Sequence, residues 1–451
     1  MDRHLLHDLV EWHDNPRRMP LIVRGPRQVG KSYLIADFGQ KYFKQQITVN
    51  FELNPYLKQC FIDLDPTHII NQIELTLGVN IIDEPSTLLF LDEIQECPQA
   101  ILALRYFKEK RSDLFVIAAG SLLEFALNTA DFRMPVGRIQ YLHLRPLSFE
   151  EFLIARGFSQ LVACLQISTV EDPPSKAIHQ RLVELMREYL IIGGMPEVVA
   201  EYLFTNRFQP CQLLQEGLLL TFRGDFGKYA KKSQYRYLQT IFDRAPALVG
   251  ADFSFNKIDP DLRARELKPA LDALIMAGLI HLIYHTSGSG LPLLSTRNEQ
   301  RFKLNFIDVG LMLKASRLPA QLLLQNDFFA LNRGAIMEQF VGQELLAYTP
   351  ADEVGSLDYW CREKKGSSAE VDYIVAIDEH VIPIEVKAGS TGRLKSLQVF
   401  LTEKQYTLGV KISMEPLGMK NNILCVPAYM IQSLPRLVKR FYGSQQEVCL
   451  Y

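Results

Sequence analysis

From the N-terminus to about residue 150 the chain alternates two textures: short runs of consecutive apolar residues, and stretches where apolar positions recur every three or four residues. The runs are PLIVRG, ITVNFEL, TLLFLDE, LFVIAAGS and IQYLHL. Consecutive apolar positions predict strands covered on both faces, and strands alternating with helices predict a parallel sheet with crossover helices. From about 151 to 235 the helical spacing takes over, most clearly in RLVELMREYLIIGGMPEVVAEYL, where Gly193, Gly194 and Pro196 predict a bend. Residues 236–316 predict two or three short helices, among them RARELKPALDALIMAGLI, and then the strands LIHLIYHT and RFKLNFID around a Gly-rich SGSGLP. That is the element order of a winged helix. Beyond about 330 a helix (GAIMEQFVGQELLAY), three strands (LDYWCR, EVDYIVAI, VIPIEVK) and a helix after Leu394 predict a second α/β unit. The polar segment Ser316–Asp327 reads as a linker. The expected organisation is α/β: a parallel-sheet core over 1–150, a helical lid over 151–235, a winged helix over 236–316 and the second α/β unit over 328–451.

Composition changes this picture little. A length of 451 residues calls for two or three domains. Hydrophobic content of 48% and charged content of 22% are those of a soluble globular chain. The net charge of −2 gives no global pull toward nucleic acid or anionic lipid, so any such contact must come from a local patch. No apolar run reaches the roughly 18 residues of a membrane helix; the best stretch, Ala270 to Tyr284, is short and contains Asp272. The N-terminal segment mixes acids and bases and lacks an apolar signal core. Cys60, Cys97, Cys164, Cys211, Cys361, Cys425 and Cys449 are scattered without a CxxC pair, which speaks against a disulfide framework or zinc site. A cytoplasmic, membrane-free protein is expected.

The first candidate chemistry is Gly25-Pro26-Arg27-Gln28-Val29-Gly30-Lys31-Ser32, followed by Tyr33. It matches G-x-x-x-x-G-K-[ST], and its context fits: the strand PLIVR precedes it and the helical KSYLIADFGQKYF follows. Gly25 and Gly30 permit a tight loop whose backbone N–H groups turn inward around phosphates. Lys31 supplies a positive charge to the β- and γ-phosphates, and Ser32 a hydroxyl ligand for magnesium. The helix adds its positive N-terminal end. A P-loop NTPase sheet binding ATP and Mg2+ is expected.

The second half of such a site is Asp92-Glu93, at the C-terminal end of the buried run LLFL. Ligands of open parallel sheets sit at that edge. Asp92 would hold magnesium and Glu93 would act as general base toward water. Ser121, ending LFVIAAGS, either orients water or γ-phosphate or simply caps the next helix. Arg138, with Arg133 and Arg145 as alternatives, is the candidate cation for the transition state, in cis or on a neighbouring subunit.

These segments resemble a prokaryotic family that joins an N-terminal AAA-type ATPase domain to a C-terminal domain of unknown function. The resemblance rests on PLIVRGPRQVGKSYLI, LLFLDEIQECP, VIAAGSLLEF, PVGRIQYLHLRPLSFEEFL, YLIIGGMPEVV, FIDVGLM, GAIMEQFVGQEL, AEVDYIV and PIEVKAG, which span nearly the whole chain. Ser32 stands where many members have Thr, a chemically equivalent hydroxyl. The resemblance implies a cytosolic ATPase with Gly137-Arg138 as a signature, and a C-terminal unit similar to the PD-(D/E)xK, restriction-endonuclease-like fold. It implies no substrate.

The C-terminal residues support a candidate site of their own. Glu385 and Lys387 share one strand face. If EVDYIVAI and VIPIEVK form a hairpin around Asp378–His380, Asp372 can face that pair, and Glu338 on the preceding helix can add a third carboxylate. Carboxylates converging with a lysine suit metal-dependent phosphodiester cleavage, with a second Mg2+ or Mn2+. The competing reading is a retained fold in which Asp372 and Glu385 are salt-bridged to Lys387.

DNA contact is expected from two basic clusters: Arg263, Arg265 and Lys268, and Lys228, Lys231, Lys232 and Arg236. A solvated helix face is the plainer reading of both. Arg223 and Asp225 could form a lid contact, an intersubunit pair or a surface ion pair. Together these readings give ATP hydrolysis coupled to DNA binding or processing. The rival is a nucleotide-switched regulator, as a homo-oligomer or with a protein partner, carrying an inactive nuclease-like fold.

Overall fold

The computed structural model describes residues 1–451 except 82, 122, 124, 126–136, 230–231, 318–332, 363–368, 389–393 and 449–451. The five N-terminal runs form strands: β1 (Leu21–Arg24), β2 (Gln45–Asn50), β3 (Thr87–Asp92), β4 (Phe115–Ala119) and β5 (Gln140–His143). They build one parallel sheet in the order β2-β3-β4-β1-β5. The unbroken apolar runs are explained by two cores. Ile22, Leu89 and Leu91 point into one, while Leu21, Val23, Leu88 and Phe90 point into the other. With a period of two along each strand, both faces must be apolar to be covered.

The helical segment follows as Lys176–Ile192, Pro196–Thr205 and Phe208–Gly224. The expected bend at Gly193-Gly194 is sharp because it is crowded. A Cβ on Gly194 would lie 2.1 Å from the carbonyl oxygen of Leu147, and Gly193 has φ +76° with Asp308 equally close. The apolar core that begins on one face of the first sheet runs through these helices into the second sheet, taking in Tyr189, Phe306, Phe340 and Ile384.

The second sheet has β6 (Ile280–Thr286), β7 (Arg297–Phe306), β8 (Leu357–Cys361), β9 (Glu370–Ile377), β10 (His380–Val386), β11 (Gly409–Ser413), β12 (Gly418–Lys420) and β13 (Ile423–Pro427). Their order is β12-β13-β11-β10-β9-β8-β6-β7, a mixed sheet. The hairpin β6–β7, expected as the wing of a middle module, pairs in parallel through β6 with β8, so it is the edge of the sheet that also carries the C-terminal strands. The β9–β10 hairpin is antiparallel, with His380 opposite Ile377. Most of the expected linker, residues 318–327, lies outside the described residues.

Buried polar contacts join the segment after β5 and the helical segment to the helices that follow β7, and they explain several of the quoted motifs. The backbone N–H of Leu147 donates to the carbonyl of Gly194 at 2.7 Å. The N–H of Gly194 donates to Asp308 at 2.6 Å, and that carboxylate also caps the helix Val309–Ala315. Gln343 donates to the hydroxyl of Tyr189 at 2.8 Å and accepts from the N–H of Val309 at 2.8 Å. Glu344 accepts from the N–H of Phe149 at 3.0 Å. Each of these buried groups satisfies another on a different segment.

Candidate functional site

The loop after β1 has the backbone its glycines predict. Gly25 has φ +143°, Gln28 +64° and Gly30 +91°. A Cβ on Gly25 would come within 2.1 Å of the Leu144 carbonyl oxygen, so only glycine fits. The helix Lys31–Tyr42 starts immediately after Gly30 and aims its free N–H groups into the loop. Lys31 is buried and donates to the carbonyl oxygens of Gly25 (2.9 Å) and Pro26 (2.7 Å). Burial pulls its pKa down to about 8, against the raising pull of Glu93 and Asp92. Val29 is buried beneath the loop; Gln28 and Tyr33 are exposed.

Asp92, at the tip of β3, faces this loop. Ser32 donates to its Oδ1 at 3.0 Å and Asn50, its partner across β2, donates to Oδ2 at 2.9 Å. Adjacent ligands of an octahedral magnesium at about 2.1 Å stand about 3.0 Å apart, so the oxygens of Ser32 and Asp92 fit such an ion. Glu93 sits in left-handed backbone (φ 51°) and accepts from Gln95 at 2.6 Å. Gln95 Oε1 is buried with no partner and lies over Gly120, where a Cβ would be 2.5 Å away.

Arg27 connects this centre to the helical segment. Its Nε donates to Ser121 Oγ at 3.3 Å, and its Nη1 to Asp225 at 2.6 Å. Lys228 pairs with Glu52 at 3.0 Å and with Asp225 at 3.8 Å. Arg223 turns away to Asp243 at 2.8 Å. From the N-terminal segment, Arg3 donates to the Val29 carbonyl at 3.0 Å and to Glu151 at 3.0 Å, locking the loop from behind.

The candidate cations separate. Arg138 precedes β5, whose first residue Gln140 pairs with Leu21, so it lies at the end of the sheet opposite the loop. There it is half exposed and 3.5 Å from Glu109. Arg145 lies at the loop end but donates to the carbonyl oxygens of Glu353 (3.2 Å) and Val354 (2.8 Å). Arg133 is outside the described residues, as is Lys231. Arg236, Arg263, Arg265 and Lys268 are exposed.

The C-terminal candidates do come together. The N–H of Val386 donates to Asp372 at 2.7 Å, and Lys387 pairs with Glu385 at 2.5 Å. Lys303 of β7, absent from the sequence reading, lies 3.8 Å from Glu338 and bonds Glu370. Burial, then the charge of Asp372, raises Glu338 to about 8 and Glu385 to about 7; burial also raises Asp372. For Lys303, burial pulls downward, but Glu338, Glu370 and Asp372 outweigh it and its pKa rises. Among the described residues no group of three or more His, Cys, Asp or Glu side chains is arranged to hold a metal ion, so the expected second Mg2+ or Mn2+ site finds no support.

Arg3, Asn50, Gln95 and Lys303 were missed. Asn50 had a signal: it is the polar residue closing the run ITVN, as Asp92 closes LLFL. Arg3 and Lys303 had none, because their partners lie far away in sequence.

Residues 17–153 match an AAA domain, residues 183–322 a domain of unknown function, DUF8612, and residues 333–430 another, DUF4143. Neither of the latter descriptions assigns an activity. No curated protein matches the chain. Among solved structures, the chain is similar to C. elegans PCH-2, at 14% identity over 44% of this chain and 57% of that one, with a TM-score of 0.25. It is also similar to the Thermotoga maritima RuvB Holliday junction branch migration motor, at 14% identity over 61% of this chain and 87% of that one, with a TM-score of 0.28.

Proposed function

We propose that this protein binds Mg2+-ATP at the loop after β1 and hydrolyses it, and that turnover is coupled to DNA binding or processing through the second sheet. The observation that carries the ATPase reading is the 3.0 Å meeting of Ser32 and Asp92 beside the buried Lys31. In this reading Lys31 exchanges the carbonyl oxygens of Gly25 and Pro26 for phosphate oxygens. The backbone N–H groups of the loop hold the β-phosphate. Ser32 and Asp92 hold magnesium, which when bound offsets the charge developing on the phosphate oxygens. Glu93 accepts the proton of the attacking water, and Gln95 sets its carboxylate. Ser121 orients water or γ-phosphate, and Arg27 reports the state of the loop to Asp225. Arg138, at the far end of the sheet, acts on a neighbouring subunit of a homo-oligomer. No described helix is long and apolar enough to cross a membrane, and we assign the protein to the cytoplasm.

DNA contact in this reading falls to the exposed Arg236, Arg263, Arg265 and Lys268. One observation favours a second reading of the C-terminal cluster, a binding platform on an inactive nuclease-like fold: Lys303 already stands among its acids. The test uses supercoiled, linear and branched DNA with Mg2+ or Mn2+, with and without ATP. Phosphate release that vanishes in Lys31→Ala supports the ATPase. Metal-dependent cleavage lost in Asp372→Ala supports the nuclease. Salt-sensitive DNA binding without cleavage supports the platform, and no DNA binding at all overturns the coupling.

A further inference from the structure

A cavity of about 350 Å³ lies between the loop edge of the five-stranded sheet and the hairpin β6–β7. Gly25, Pro26 and Ser121 line one side, and His281 and Asn305 the other. Lys31, Ser32, Asp92 and Glu93 do not line it, so it is separate from the magnesium side of the phosphate loop. Apolar side chains, including Ile275, Ile307 and Leu346, form much of the rest.

Asn305 is the anomaly. It is 1% exposed, and neither its amide nitrogen nor its amide oxygen has a hydrogen-bond partner. Asparagine is disfavoured in strands, and here it stands between the buried Leu304 and Phe306. A buried carboxamide with no partner is costly, and it calls for a ligand or water to satisfy it. His281 is its direct cross-strand neighbour, so the two side chains stand on one face. Burial, with Arg145 adding to it, pulls His281 down to about 4, leaving a neutral ring with one donor and one acceptor. Arg145 lines the same cavity and adds a cation.

We propose that this cavity is a binding site for a planar heteroaromatic lactam carrying an anionic group. The donor–acceptor edge of Asn305 pairs with the adjacent N–H and C=O of the ring, as a carboxamide pairs with a base edge. Arg145 takes the anionic substituent and the apolar walls take the ring faces. The volume lies within the range of small-molecule pockets. The occupant lies beside a close approach of the turn before β6 to the loop after β1: Gly278, with φ +70°, packs on that loop so closely that a Cβ would meet Pro26 Cγ at 2.8 Å. Its binding therefore bears on the phosphate loop.

Three probes test the proposal by calorimetric titration of the full chain. Orotate has both lactam edge and carboxylate, uracil only the edge, and benzoate only the charge. Orotate binds tightest, with uracil and benzoate each weaker by about tenfold or more. Asn305→Leu, close in shape, loses orotate affinity by at least about tenfold and raises the thermal midpoint of the ligand-free protein, because two unpaired polar atoms are gone. Asn305→Ser reads the same loss of affinity if the leucine variant does not fold. Lys31→Ala keeps orotate binding, which separates the cavity from the nucleotide site. Absence of binding by all three probes up to about 10 mM overturns the proposal. Equal orotate binding by wild type and the Asn305 variants overturns it too, as does a lowered ligand-free midpoint in Asn305→Leu, which would mean that water already serves the amide.

Discussion

The phosphate loop and the C-terminal cluster are built from the same residue types, acids and lysines carried on strands and helices, yet they solve opposite electrostatic problems. At the loop, one lysine and one acid are held by neutral partners: Lys31 by the carbonyls of Gly25 and Pro26, Asp92 by Ser32 and Asn50. Both are poised to exchange those partners for a charged ligand. In the cluster, Glu338, Glu370, Asp372 and Glu385 crowd around Lys303 and Lys387. Burial there raises Glu338, Asp372 and Glu385, so protons and lysines supply the neutrality that a ligand would supply at the loop. Similar side chains become a ligand-ready centre in one place and a self-neutralised one in the other because the neighbours differ.

The largest expected effect tests whether the two centres are independent. Lys31→Ala lowers phosphate release by about 100-fold or more, while Asp372→Asn changes it by less than about twofold. A large fall in Asp372→Asn would mean that the cluster takes part in turnover.

The next effect concerns protons. Glu338 has a folded pKa of about 8, above its ordinary value of 4.5. Between these the folded chain keeps a proton that the unfolded chain has released, so stability falls as pH rises from about 4.5 to 8. Glu338→Gln removes that slope. At pH 9 it gains on the order of 2 kcal/mol over the wild type, trimmed by the 18% exposure of the side chain, and little at pH 4. Urea midpoints at the two pH values check this; an equal change at both would mean that the acid is held ionised by its lysines.

A smaller effect sharpens the picture of the loop. Arg27→Ala and Asp225→Asn each lower kcat by roughly tenfold if the bridge from loop to helical segment is used in turnover. The double variant then falls no further than the worse single one. Additive losses would mean that each residue acts through a different partner.

The smallest signal is protonic. With Lys31 at about 8 in the free protein, ATP binding at pH 8 takes up on the order of half a proton, because phosphate favours the charged amine. Titrations in buffers of different ionisation enthalpy read this directly, and no uptake would mean that the lysine is already fully charged.

Much of the phosphate loop was legible in the sequence because its chemistry is local. Gly25, Gly30, Lys31 and Ser32 lie within eight consecutive positions of the sequence, and a strand and a helix flank them as the apolar spacing predicts. The tips of β3 and β4 were legible for the same reason: an apolar run that ends in a polar residue marks the edge of a buried sheet. The β9–β10 hairpin followed from alternation and a short turn, and it brought Asp372 to Glu385 and Lys387.

By itself, then, the sequence determined the five strands of the first sheet, the strands β6 to β10 and the main helices between them, and that Glu385 and Lys387 share a strand face; the strands β11, β12 and β13 were not read from it. Only the tertiary structure decided that Arg27 reaches Asp225 across 198 positions, and that Arg3 braces the loop through Val29. It also decided that the β6–β7 hairpin joins the C-terminal strands, carrying Lys303 into the acid cluster and leaving Asn305 unpaired at a cavity wall. The physical reason is common to all of these. Local backbone preference and apolar periodicity are written in neighbouring residues, whereas the pairing of two distant polar side chains depends on how whole elements pack, and no spacing along the chain records it.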